Sequence, residues 1–278
     1  MVGGACLVRF PLDPNDKKPL GNSGEYVPAI GVGTWDIRNT KLAVDALAYA
    51  VELGLNLIDT AEMYQSGGAE EIVGSAIRRV GRERVFVVTK LLPERFAARD
   101  KAVRAAEASL KRLGISYADL ILIHWPLEGV PLKTQIESLE ALVERGLTRY
   151  IGVSNFDGAI LEEAVKSTKK YDIVVDQVKY SVLDKRVEFE TLPLCLKNRV
   201  TLQAYTPLER GRVAGDKRVA RIAEKYGKTC VQAALNYLIS RPMVTAIPKS
   251  ERMERISEFA GALGWRLNTE DLEELESI

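Results

Sequence analysis

The sequence predicts one α/β domain, a (β/α)8 barrel spanning residues 1–278, with an N-terminal β-hairpin and extra helices near the C-terminus. Three observations carry this expectation. Eight short apolar runs recur along the chain, and each is followed by a segment with helical spacing of apolar residues. Strands that alternate with helices of this length must pair in parallel through crossover connections. The length of 278 residues suits eight such units, and no Pro/Gly/Ser-rich linker or low-complexity tract divides them. A doubly wound sheet is the competing arrangement. It would carry G-x-G-x-x-G after its first strand, but "GVGTWD" has Asp36 where the third glycine belongs.

The elements follow in order. "VRFPLDPNDKKPLGNSGEYV" reads as a hairpin turning at Asp13–Asp16. "AIGVGTW" is the first barrel strand, followed by a helix whose apolar positions Leu42, Ala46, Leu47, Ala50 and Leu53 end at Gly54. "LNLIDT" precedes a helix over about 69–80. "RVFVVTK" precedes one over about 99–113, stopped by Gly114. "DLILIH" precedes "LKTQIESLEALVERG", and "TRYIGVSN" precedes "GAILEEAVKST". "DIVVDQV" leads to a weaker helix near 188–197. "VTLQAYTP" leads to "DKRVARIAEKYG" and then "TCVQAALNYLIS". "MVTAIPKS" is the eighth strand, and a last pair of helical segments follows.

The totals narrow the function classes. The chain is 46% apolar and 28% charged with a formal net charge of +1, which leaves no electrostatic footprint for nucleic acid or an anionic membrane. No apolar run approaches the roughly 20 residues that cross a bilayer. "MVGGACLVRFPLDPND" lacks a basic region followed by an apolar one, so no secretory signal is expected. Cys6, Cys195 and Cys230 are scattered, neither a disulfide framework nor a metal ligand set, so a reducing, cytoplasmic setting and no metal are expected. Scarce glutamine and abundant charge of both signs hint at a heat-adapted source.

In a barrel of this kind chemistry sits at the C-terminal ends of the strands. Those ends carry Thr34 and Trp35, Asp59 with Tyr64 five residues on, Lys90, His124 and Trp125, Ser154 and Asn155, Asp176 and Gln177, Tyr205, and Lys249 with Ser250. His124 is the one histidine of the chain, set directly after an apolar run and before Trp125 and Pro126. Taken singly, each residue has a plain structural reading: a hydrogen-bonded strand-end histidine, a loop-capping aspartate, a solvated lysine. On one rim, Asp59, Tyr64, Lys90 and His124 would form a proton-transfer device. A tyrosine with a reference pKa near 10 is a poor acid at neutral pH, and a lysine cation beside it is expected to lower that value. A carboxylate such as Asp59 would keep the lysine charged. A neutral histidine would orient a substrate carbonyl whose oxygen gains charge as hydride reaches its carbon.

From about Tyr26 to Leu263 the motifs "GVGTW", "LNLIDTAEMY", "VVTK", "LILIHWP", "IGVSNF", "VDQVKYS", "AYTPL" and "AIPKSERMERISE" resemble those of the aldo-keto reductases in order and spacing. The resemblance implies NADPH lying extended across the barrel mouth without a Rossmann motif. It implies Tyr64 as general acid, tuned by Lys90 and Asp59, with His124 orienting the carbonyl. Ser154, Asn155 and Gln177 would hold the nicotinamide carboxamide and Tyr205 would stack beneath the ring. Thr34, Asp59, Leu208, Lys249, Ser250, Arg255 and Glu258 complete the cofactor set that it implies. In "PKSERMER", Ser250 can cap the following helix, so a phosphate near Lys249 would meet N–H groups and a cation together, with the planar fork of Arg255 facing it. Two departures stand out: Phe259 where the family often has Asn beside the adenine, and Glu209 where it often has Gly. Glu209 beside a pyrophosphate would repel it unless Arg210 or Arg212 neutralises it.

Trp35, Met63 and Trp125, with Leu91 nearby, would line the carbonyl pocket. The chain stops at "TEDLEELESI", where longer family members carry a loop over the pocket. An open site accepting aldehydes or dicarbonyls is therefore expected, in a monomer. Two alternatives from other classes are a Schiff-base aldolase using Lys90 and a nicotinamide-binding regulatory or channel-associated subunit with little turnover.

Overall fold

A computed structural model describes residues 10–278. Two short antiparallel strands, β1 (Lys17–Pro19) and β2 (Tyr26–Pro28), precede eight parallel ones: β3 (Val32–Gly33), β4 (Leu57–Asp59), β5 (Phe86–Leu91), β6 (Ala118–Ile123), β7 (Thr148–Ser154), β8 (Ile173–Lys179), β9 (Thr201–Tyr205) and β10 (Val244–Ala246). The eight pair in consecutive order, and parallel bridges Ile30↔Ala246 and Gly33↔Lys249 join the last to the first. The predicted (β/α)8 barrel is the observed fold.

The hairpin exists, but its turn lies at residues 20–25 and not at Asp13–Asp16. The backbone decides this: Gly21 and Gly24 have φ of +53° and +79°, the left-handed region that a tight reversal needs. Asp13 instead accepts from the backbone N–H and the side-chain amide of Asn15, a local turn that carries no strand pairing. Val8 and Arg9, the first residues expected in the hairpin, lie outside the described residues, as does Cys6. The hairpin closes one end of the barrel, where Leu20 and Val27 pack with Leu57, Val88, Leu120, Leu122 and Val175 of the strands and with Ile247 just beyond β10.

The helices are α1 (Thr40–Glu52), α2 (Gly68–Val80), α3 (Arg99–Leu113), α4 (Leu132–Glu144), α5 (Gly158–Ser167), α6 (Thr191–Asn198), α7 (Lys217–Lys225), α8 (Cys230–Ile239), α9 (Met253–Ala260) and α10 (Thr269–Glu276). Their ends obey local chemistry. Asn39 caps α1, Asp216 caps α7, Asn268 caps α10, and Thr229 with Gln232 forms a capping box on α8. Gly114 ends α3 in the left-handed conformation, as its position in the sequence predicts. In α1 the buried stripe is Ala43, Ala46, Leu47, Ala50 and Val51, whereas Leu42 and Leu53 are exposed, so the apolar face is rotated from the one expected. The weak helix expected near 188–197 resolves into a 3-10 turn (Arg186–Glu188) and α6.

Between β7 and β8 the register shifts: Ile151 pairs with Ile173, but Val153 pairs with Asp176. The extra residue in β8 is a bulge that sets Gln177 opposite Ser154 at the strand ends. At Gly152 an added Cβ would lie 2.6 Å from both Leu122 Cδ2 and the Val175 carbonyl oxygen, so the barrel interior admits no side chain there.

Candidate active site

The site grows directly out of strand periodicity. Side chains two residues apart share a face. Leu57, Val88, Leu122 and Val175 belong to the apolar plug inside the barrel. Two residues further along each strand path stand Asp59, Lys90, His124 and Gln177, all buried. The same inward register that fills the barrel with hydrocarbon thus places polar groups just above it. Tyr64 comes from a 3-10 turn (Tyr64–Gly67) in which Gln65 and Ser66 have φ of +51° and +53°. The Gln65 side-chain amide donates to the Ile37 carbonyl, which ties this turn to the loop after β3.

Lys90 Nζ donates to both Asp59 carboxylate oxygens at 2.7 Å and to the Thr60 carbonyl at 2.8 Å. All three of its protons are committed. Burial pushes Lys90 toward the neutral amine, but Asp59, then Tyr64, outweigh it and hold the ammonium above the usual lysine value. A Schiff-base lysine needs the opposite: a free amine with a lowered pKa. The ammonium lies 4.9 Å from the centroid of the Tyr64 ring. Burial raises the Tyr64 phenol above the ordinary tyrosine value in spite of Lys90, so the expected net lowering is not found; the dry surroundings outweigh the cation. The phenol therefore rests fully protonated. His124 meets Tyr64 edge-on, centroids 5.8 Å apart at 71°, and stacks on Trp125 at 3.9 Å and 5°. Burial first, and the Lys90 charge second, press the His124 imidazole down to about 2. It is neutral at physiological pH, and its Nδ1 is buried with no partner among the described residues.

Asp59, Tyr64 and His124 line the floor of a cleft of about 790 Å³, with Lys90 buried beneath them. Beside them Gln177 donates both amide protons inward, to Asp59 Oδ1 and to Gln203 Oε1, each at 2.7 Å. Asn155 (φ +61°) donates to the His124 carbonyl at 3.0 Å and to Ser154 Oγ at 3.1 Å. Ser154 Oγ in turn donates to the Gln177 carbonyl at 2.8 Å, and the Tyr205 hydroxyl donates to Asn155 Oδ1 at 2.8 Å. With those protons spent inside the protein, the side chains of Ser154, Asn155 and Gln177 offer acceptors to the cleft. Thr34 is buried, donates to the Asp59 carbonyl at 2.9 Å, and supports the floor without lining it.

Trp35 (49% exposed), Met63 (42%) and Trp125 (40%) stand at the mouth. Leu91 is fully buried in the strand–helix core and is not part of that wall. The cleft runs on past Tyr205 and Leu208 to Lys249, Ser250, Arg252, Arg255 and Phe259. Glu258 does not line it; its carboxylate holds Arg255 at 2.5 Å from the side. Ser250 is not the cap of α9: that position is taken by Arg252, and Ser250 Oγ, two residues earlier, accepts the Arg252 N–H at 3.1 Å. Glu209 is turned out of the cleft. Ser181 Oγ donates to it at 3.0 Å and Lys179 pairs with it at 3.2 Å, so neither Arg210 nor Arg212 performs that neutralisation. Arg210 instead lies 4.9 Å from the Trp35 ring centroid, roofing the cleft. Gln203 and Arg252 escape sequence reading. The inward alternation of "TLQAY" points to Gln203, while nothing local in the sequence marks Arg252.

Comparison with known proteins agrees with this fold. Residues 29–278 match the aldo/keto reductase family. Methylglyoxal reductase YeaE of Escherichia coli strain K12 is 36% identical over 270 residues, covering 94% of each chain. The crystal structure of the thermostable aldo-keto reductase Tm1743 with the inhibitor epalrestat aligns with a TM-score of 0.88 at 40% identity, over 94% of this chain and 98% of that one. An aldo-keto reductase from Klebsiella pneumoniae, solved in complex with NADPH, aligns with a TM-score of 0.88 at 35% identity over 95% of both chains. With eight parallel strands closed into a barrel, an aspartate–lysine pair under a tyrosine and a histidine, and relatives of this kind along its length, the chain belongs to the aldo/keto reductase family of oxidoreductases.

Proposed function

We propose that the protein reduces aldehydes or dicarbonyls to alcohols with NADPH, Tyr64 acting as general acid. One observation carries the reading: a protonated phenol, a neutral imidazole and a buried ammonium–carboxylate pair converge on the floor of one cleft, next to a set of amide and hydroxyl acceptors. The cleft fits the cofactor. Its acceptors suit the N–H donors of a carboxamide, Tyr205 offers a ring beside them, and Lys249, Arg252 and Arg255 line the far end. When bound, the reduced nicotinamide supplies hydride to the carbonyl carbon. His124, unable to carry charge in this setting, donates a hydrogen bond to the carbonyl oxygen and aligns it. Tyr64 gives its proton to that oxygen as negative charge develops there, and the Lys90 cation stabilises the phenolate left behind. Asp59 keeps Lys90 charged and Gln177 holds Asp59. Trp35, Met63 and Trp125 supply an apolar wall for the rest of the substrate. The YeaE relative, a methylglyoxal reductase by name, supports a small dicarbonyl.

The test is NADPH consumption with a panel of aromatic aldehydes and dicarbonyls, for wild type and Tyr64→Phe. The variant is expected to lose at least about 10²-fold in rate, the scale of general acid catalysis, while NADPH binding by fluorescence quenching stays within about twofold. Equal losses in both would overturn the role of Tyr64. Tight binding with no consumption would favour the regulatory-subunit reading.

A further inference from the structure

Lys249, which lines the far end of the cleft, is tied to a carboxylate just behind the lining that the proposed cofactor reading does not use. Lys249 Nζ donates to Glu251 Oε1 at 2.6 Å and to the Asp36 carbonyl at 2.8 Å. Glu251 is not a swinging surface group. Its two oxygens accept the backbone N–H groups of Arg38 at 2.9 Å and Asn39 at 2.8 Å, which fastens it between the loop after β3 and the start of α9. Its side chain is 12% exposed, and that of Lys249 29%, so solvent screens the pair only partly. Those three donors hold the carboxyl below the usual glutamate value, outweighing the upward push of burial, and it is anionic at neutral pH. Arg255 is matched by Glu258 at 2.5 Å and Arg38 by Asp36 at 3.2 Å. Arg252 lines the same end and has no carboxylate partner among the described residues.

We infer that Glu251 sets the cofactor specificity of this protein, narrowing its preference for the 2′-phosphorylated dinucleotide so that NADH is also accepted. The inference rests on the reading that the adenosine end of a nicotinamide dinucleotide lies at Lys249. A phosphate dianion arriving there meets a cation that is already neutralised. It must lie beside the Glu251 carboxylate, like charge against like, or displace it and break the bonds from Arg38 and Asn39. A 2′-hydroxyl carries no charge and does neither. Specificity is a difference between two affinities, and Glu251 acts on one of them.

The experiment is calorimetric titration of the full chain with 2′,5′-ADP and with 5′-AMP, for wild type, Glu251→Gln and Lys249→Met. The wild type is expected to favour 2′,5′-ADP by less than about a hundredfold, and Glu251→Gln to widen that ratio about tenfold, roughly 1.4 kcal/mol, through 2′,5′-ADP alone. A wild-type preference above a hundredfold overturns the inference, and this needs no variant to fold. So does an unchanged ratio in Glu251→Gln when Lys249→Met still weakens 2′,5′-ADP; Glu251 is then a loop brace and the cofactor reading stands. No effect of Lys249→Met, or no binding of either nucleotide by the wild type, overturns the placement of the adenosine end and the inference with it.

Discussion

Replacing Lys90 by Met removes three hydrogen bonds and one charge from a buried site. Asp59 is left buried with Gln177 Nε2 as its remaining side-chain donor, and the Thr60 carbonyl loses its side-chain partner. Breaking a buried pair in this way costs about 3–5 kcal/mol, because the carboxylate stays uncompensated. The escape is protonation, toward which burial already pushes Asp59. The sign follows: with Lys90 gone, the folded variant holds a proton that the unfolded chain releases near pH 4. Stability then declines as pH rises through the window between the unfolded and the raised folded value, and the deficit is smallest at acid pH. Lys90→Met/Asp59→Asn removes both charges and should recover most of the loss at pH 7. Equilibrium urea unfolding from pH 5 to 8, followed by tryptophan fluorescence, measures all three proteins. A Lys90→Met variant within about 1 kcal/mol of wild type at pH 7, with the double variant no better, would refute the argument, since the pair would then lack the desolvation penalty that its burial demands.

Two further outcomes follow from the same geometry. The chain has one histidine, so the imidazole proton signal in NMR reports His124 alone; it should not titrate between pH 4 and 9, and a midpoint near 6.5 would show that the ring is neither dry nor close to Lys90. Its depressed value also means that the unfolded chain protonates first, so this group's contribution to stability is present above about pH 6.5 and is lost as pH falls, at about 1.4 kcal/mol per unit. Arg241 is almost fully buried against Tyr237, Glu188 and Glu276; Arg241→Met should destabilise the chain by about 3–5 kcal/mol and raise hydrogen exchange in α10, and a melting temperature unchanged within 2 °C would show that the network is worth little.

The order of elements, the barrel and the identity of the floor residues were legible in the sequence because they follow from local pattern. Strand ends occur where an apolar run stops, and a period of two carries Asp59, Lys90, His124 and Gln177 to the same interior as the hydrocarbon beneath them. What the chain could not show by itself depends on dryness and on contacts across hundreds of residues. The phenol of Tyr64 shifts upward and not downward because burial, a property of the packed barrel, exceeds the pull of one lysine. Glu209 is answered by Lys179 and Ser181 from the neighbouring strand path and not by the arginines beside it in sequence. The bulge that sets Gln177 opposite Ser154 exists in strand pairing and has no local signature. Glu251, two residues from Lys249, is locked onto it by backbone amides more than two hundred residues away. Sequence determined which groups the rim carries; tertiary structure decided their charge, because the dielectric and the partners that set a pKa are assembled only when distant loops meet.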